Sequence, residues 1–226
     1  MWRLYEEYYD NVTYDLFRSD LAEKECVHLG FDAKDRSFSV VRGFSTAMVY
    51  SQEYQNEKVG VLFTGDSIFH PDYWGRQTAV HKSLMWTVLE WKLKNPTRQL
   101  YYLFPCSGCR TYLFMARNLP EHWPHFRHGL PERQRGLRDA LARRKFGDAW
   151  KPERGVVSFG EKQAVLKGHV APFTDEVRAM EEIQFFMKAN PGFETGDELV
   201  IVAPLDFKFL RTFTWKLVKR AVRGRR

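Results

Sequence analysis

Four residues near the middle of the chain have a spacing that could hold a metal. Cys106, Cys109, His122 and His128 read C-x₂-C-x₁₂-H-x₅-H, and thiolates and imidazoles are the donors that tetrahedral zinc takes. The same Cys106-Ser107-Gly108-Cys109 run also has the form of a redox dithiol, since a helix N-terminus lowers the pKa of an exposed thiol. Pro105 directly before the pair weighs against the dithiol, and the surroundings weigh against zinc. An apolar run, Leu100 to Phe104, precedes the pair, and Pro120 and Pro124 interrupt the helix that a finger would need for its histidines. A second candidate lies upstream, where Phe69-His70-Pro71-Asp72-Tyr73-Trp74-Gly75-Arg76-Gln77-Thr78-Ala79 joins a strand to a helix. The first amides of a helix are unpaired and sit at the positive end of its dipole, and small residues let a ligand approach them, which suits an anion.

The elements that must position these residues follow from periodicity. Leu4, Tyr8, Leu16 and Leu21 predict helices over 2–25, broken near Asn11 to Thr13. Ser37 to Tyr50 and Val59 to Phe69 are β-branched and aromatic, and predict an antiparallel pair. Val80, Leu84, Val88 and Leu89 recur at helical spacing over 79–94 until Asn95 and Pro96 stop them. Leu100 to Phe104 reads as a buried strand and Cys109 to Asn118 as a helix, so strand, helix, strand implies a parallel crossover. Further on, the pattern predicts a charged helix over 132–146, a hairpin from Val156 to Phe159 and Ala164 to Val170, a helix from Thr174 to Lys188 with Thr174 as N-cap, and a strand at Leu199 to Val202. The fold class is α/β in the α+β sense: a mixed central sheet flanked by helices. A core over 1–125 is followed by a helical and β extension over 126–226 that ends in a basic amphipathic helix.

The run from Leu62 to Leu84 resembles the cofactor-binding motif of the GCN5-related N-acyltransferases. In that family a strand closes on a proline, and a loop of the form Gln/Arg-x-x-Gly-x-Gly/Ala opens a helix. Here Trp74 stands where Gln or Arg is usual, Gln77 and Thr78 precede Ala79, and Arg76 offers a compensating charge. The order of elements over roughly 1–120 is also similar to the family's. The resemblance implies an acetyl-CoA or acyl-CoA donor, with Phe69 and His70 along the pantetheine arm and Trp74, Gly75, Arg76, Gln77, Thr78 and Ala79 about the pyrophosphate. It implies direct attack of a small-molecule amine on the thioester. Cys109 and Tyr112 are then candidates for the acid that protonates the departing thiolate, and Asp66 and Thr64, which share one strand parity, for the base side. A non-catalytic domain of the same fold, or a zinc or dithiol protein built on Cys106 and Cys109, are the alternative readings.

The chain of 226 residues has a formal net charge of +7, but Phe207 to Arg226 hold eight Lys or Arg and no acid. The remainder, with 27 basic and 28 acidic residues, is balanced and carries no footprint for nucleic acid. Leu210, Phe213, Leu217 and Ala221 line one face of the tail helix and Lys208, Arg211, Lys216, Lys219 and Arg220 flank it, which fits a docking helix, an anionic membrane surface or an acidic acyl carrier protein. No apolar run has signal-peptide or membrane-spanning length, and three cysteines do not make a secreted disulfide framework, so a cytoplasmic protein is expected, with peripheral membrane association through that helix.

Overall fold

The computed structural model describes the chain except for residues 33, 35, 74–77, 120, 161–163, 168–173 and 224–226, and except for the side chains of 78, 79, 81 and 216–223. The N-terminal segment forms α1 (Trp2–Tyr8) and α2 (Tyr14–Ala22), separated by a two-residue strand, β1 (Tyr9–Asp10). Thr13 begins α2: its hydroxyl accepts from the Leu16 amide at 3.3 Å, satisfying one of the helix's unpaired donors. Strands β2 (Cys26–Phe31), β3 (Val41–Tyr54) and β4 (Glu57–Phe69) follow as an antiparallel meander. The β3–β4 hairpin closes tightly because Gln55 and Asn56 both take left-handed φ, 50° and 63°, which matches the twist of the flanking strands.

Helix α3 (Thr78–Lys94) then crosses to β5 (Leu100–Cys106), which lies parallel to β4. Next come α4 (Cys109–Asn118) and α5 (Glu132–Phe146). Glu132 in the first turn of α5 and Arg143, Arg144 and Lys145 in its last complement the helix dipole, and Gly147 ends it at φ 54°. Short strands β6 (Trp150–Lys151), β7 (Val156–Val157) and β8 (Val165–Leu166) precede α6 (Asp175–Arg178), α7 (Glu181–Ala189), β9 (Glu198–Pro204) and α8 (Phe207–Arg223).

Among the described residues seven strands make one mixed sheet in the order β2-β3-β4-β5-β9-β7-β6, in which β4–β5 is the one parallel pair. One face carries α3, α4, α7 and α8 on a core of Leu62, Phe104, Ile183, Phe186 and Ile201. The other carries α5 on Val61, Phe63, Leu103 and Val202, and α1 and α2 on Phe44 and Ile68. This is the mixed, helix-flanked sheet expected.

Several particulars differ from the expectation. β9, from the extension expected over 126–226, is hydrogen-bonded along β5 and so belongs to the central sheet. Val156–Val157 pairs with β6 and β9, and Val165–Leu166 pairs with Tyr9–Asp10, in place of a hairpin between the two. The helix from Thr174 breaks at Ala179–Met180 into α6 and α7, although Thr174 does cap it, accepting from the Val177 amide.

Candidate functional site

The two parallel strands pair only from Gly60↔Leu100 to Phe63↔Leu103. Beyond that rung β4 continues to Phe69 and β5 to Cys106, with no ladder between them. On its other edge β4 stays paired with β3, but the register jumps from Ala47↔Thr64 to Ser45↔Ser67. Gly65 and Asp66 therefore stand opposite Thr46 alone, a β-bulge that bends β4 and re-aims its side chains. Glycine leaves room at the bulge for the Thr46 hydroxyl and Lys24 Cε, which a Cβ there would meet at 2.7 and 2.8 Å. β5, held by β9 out to Cys106↔Leu199, has no matching bend. The parallel ladder thus stops short of the carboxyl ends of both strands, the end at which an open α/β sheet leaves its crevice.

On the α3 side of the gap, the Thr64 and Tyr102 hydroxyls are 2.7 Å apart. Burial pushes the Tyr102 phenol up to about 12 against the opposing bond to Thr64, so it is a neutral donor at physiological pH. The Cys106 thiol is buried and donates to the Gly108 carbonyl at 3.2 Å. Cys109 opens α4, and burial raises its thiol to about 11 despite the helix N-terminus.

The opposite side of the gap is acidic and aromatic. The bulge turns Asp66 toward α1 and α2, where burial, and then the charge of Asp20, raise its carboxyl to about 7, with Lys24 opposing. Glu198, at the first position of β9, is raised to about 8 by burial and then by Asp66 and Asp20. Tyr5 and Tyr9, whose rings stack at 5.1 Å, feel both carboxylates, and their phenols are pushed well up, first by burial. Lys24 is committed elsewhere, donating to Asp20 Oδ1 at 2.6 Å. Two carboxyls titrating near neutrality beside a strand gap can accept and return protons.

Of the residues singled out by sequence, Thr64 and Asp66 both flank the gap, but the bulge sends them to opposite faces rather than one. Cys109 lies in the core on the α3 side. Tyr112 is fully buried, its ring packed against Phe185, Phe186 and His122, so it joins α4 to α7. Phe69 ends β4 against Gly43, where any Cβ would meet its ring. The His70 amide donates to the Arg42 carbonyl at 2.8 Å, and its Nδ1 accepts from the Asp72 amide at 3.4 Å. Thr78 and Ala79 open α3; Trp74, Gly75, Arg76 and Gln77 lie outside the described residues.

The zinc spacing does not become a coordination set: among the described residues no three His, Cys, Asp or Glu are grouped to hold a metal ion. His122 is 1% exposed with Nδ1 3.2 Å from the Leu119 carbonyl, and burial lowers its imidazole to about 4. His125 stacks between it and His128 at 4.5 Å on either side.

Sequence reasoning passed over Tyr102, Glu198, Tyr5 and Tyr9. Tyr102 sat in an apolar run read only as strand, whereas an acid at the head of the apolar run Leu199 to Val202 was a usable signal for Glu198. No family model matches the chain, and no curated protein matches it in sequence.

Proposed function

We propose that the protein is an acyltransferase of the GCN5-related type, moving an acetyl or longer acyl group from a coenzyme A thioester to an amine. The observation that carries this reading is the parting of β4 and β5 after Phe63–Leu103, beside the crossover into α3. An extended pantetheine arm is strand-like in length and polarity, and a gap between two strands offers it backbone partners that a closed ladder would have consumed. The helix start at Thr78 lies at the same end of the sheet, which suits the diphosphate.

The two faces of the gap then divide the chemistry. The donor enters from the α3 side and its thioester carbonyl lies between the strands. The amine comes from the Asp66–Glu198 side, where two carboxyls favour a cation and can take its proton directly or through water. The neutral amine adds to the carbonyl carbon; an N–C bond forms, the C–S bond breaks, and the thiolate leaves with a proton from a neutral hydroxyl or thiol. Tyr102 and Cys109 are both protonated at neutral pH and lie on that side, which supports either in the role. Tyr112 is the weaker candidate because its ring is engaged with α7.

The test is thiol release. The full chain incubated with acetyl-CoA or longer acyl-CoA and a panel of primary amines is expected to liberate one free thiol per amide formed. Neither thiol release nor any rise in melting temperature with any of these donors would overturn the reading.

A further inference from the structure

We infer that the side of the sheet covered by α3 and α8 is a docking surface for an anionic lipid membrane. The inference does not depend on the transferase reading. Helix α8 buries Phe209 and packs Leu210 and Phe213 against the core, yet Phe207 and Trp215 are 83% and 60% exposed on its outward side. Helix α3 is apolar on both sides: Leu84, Met85, Val88 and Trp91 face the same core, while Trp86 and Leu93 are 69% and 73% exposed. The two helices pack on one core, and α8 begins at the Leu100 end of β5, the end of the sheet at which α3 finishes: the Leu205 amide donates to the Leu100 carbonyl at 2.8 Å. Large exposed apolar side chains on two helices packed over the same core mark an interaction surface.

Charge selects the occupant. From Phe207 onward the chain holds eight basic residues and no acid, against a body that is nearly balanced. On α3 the acid within the apolar stripe, Glu90, is neutralised by Lys94 at 2.6 Å. Indole and leucine side chains projecting from two helices amid basic residues meet both demands of a lipid surface: apolar insertion to headgroup depth and attraction to negative headgroups. A soluble acidic protein held by α8 would satisfy the charge but leave Trp86 and Leu93 in water.

The experiment is sedimentation of the full chain with phosphatidylcholine vesicles, with and without phosphatidylserine, at low and high salt. Binding to the anionic vesicles alone, weakened by salt and accompanied by a blue shift of tryptophan emission, is expected. The triple variant Arg211→Gln, Lys216→Gln, Lys219→Gln should weaken partitioning by about five-fold per residue neutralised. Trp86→Ala with Trp215→Ala should weaken it while leaving the circular dichroism spectrum unchanged, since both side chains project outward. Absence of binding by the folded protein, equal binding to neutral vesicles, or retention on soluble polyglutamate but not on vesicles would each overturn the inference, the last in favour of an acidic protein.

Discussion

The hydroxyls of Thr64 and Tyr102 meet at 2.7 Å where the parallel strands part, Thr64 being the first residue of β4 beyond the last rung. The bond ties the mouth of the gap, and removing either partner alone strands the other. Tyr102→Phe should therefore cost about 1–3 kcal/mol, and adding Thr64→Val should recover part of that, giving a coupling energy on the order of 1 kcal/mol. Urea denaturation of the two single variants and the double variant measures it; strictly additive losses would show that the bond is not formed.

Asp66 and Glu198 make stability depend on pH in an unusual direction. Their folded pKa values, about 7 and about 8, lie above the ordinary carboxylate range, so between about pH 4 and those values the folded chain holds protons that the unfolded chain has released. Their contribution is complete below about pH 4 and is lost as the pH rises toward 8. Asp66→Asn or Glu198→Gln should flatten the fall in melting temperature across that window and raise stability at its alkaline end. If the carboxyls are the bases of an acyl transfer, kcat/KM should rise with pH through the same range, and Asp66→Asn should remove part of that limb.

Gly60 is a packing requirement rather than a turn. A Cβ at this position would run into the indole of Trp91, by which α3 rests on β4. Gly60→Ala should cost about 1–3 kcal/mol through overpacking, and Gly60→Ala combined with Trp91→Leu should recover much of it. Thermal denaturation of the pair checks this.

The three thiols should separate by access. Cys106 and Cys109 are buried, and burial raises both; Cys26 is only half-buried, though its thiol is raised as well. Native protein should titrate one thiol with a disulfide reagent and the other two only on unfolding, and mass spectrometry should place the first on Cys26. Rapid native labelling of Cys106 would contradict the packing around β5.

Much of this architecture was legible in the residues because local rules and tertiary packing agree there. Pro96 stops α3, Thr174 caps α6, and the apolar runs of β5 and β9 announce buried strands. What escaped depended on non-local pairing. Cys26–Phe31 is a strand because β3 lies beside it, and its alternation runs against polarity, with Val27 and Leu29 exposed and His28 buried. The bulge at Gly65–Asp66 is a relation between β4 and β3, so a parity argument confined to β4 put Thr64 and Asp66 on one face. Glu198 joins Asp66 across most of the chain's length, a proximity that no spacing rule reports.

The central claim is that the stretches of β4 and β5 that do not pair with each other receive an extended thioester donor, and amide hydrogen exchange tests it most directly. With saturating acetyl-CoA, the amides of Thr64 to Phe69 and of Phe104 and Cys106 that β3 and β9 leave unbonded are expected to exchange more slowly, while those of Gly60 to Phe63, already in the parallel ladder, stay unchanged. Unaltered exchange in both stretches at donor concentrations well above those of a cell would contradict the account.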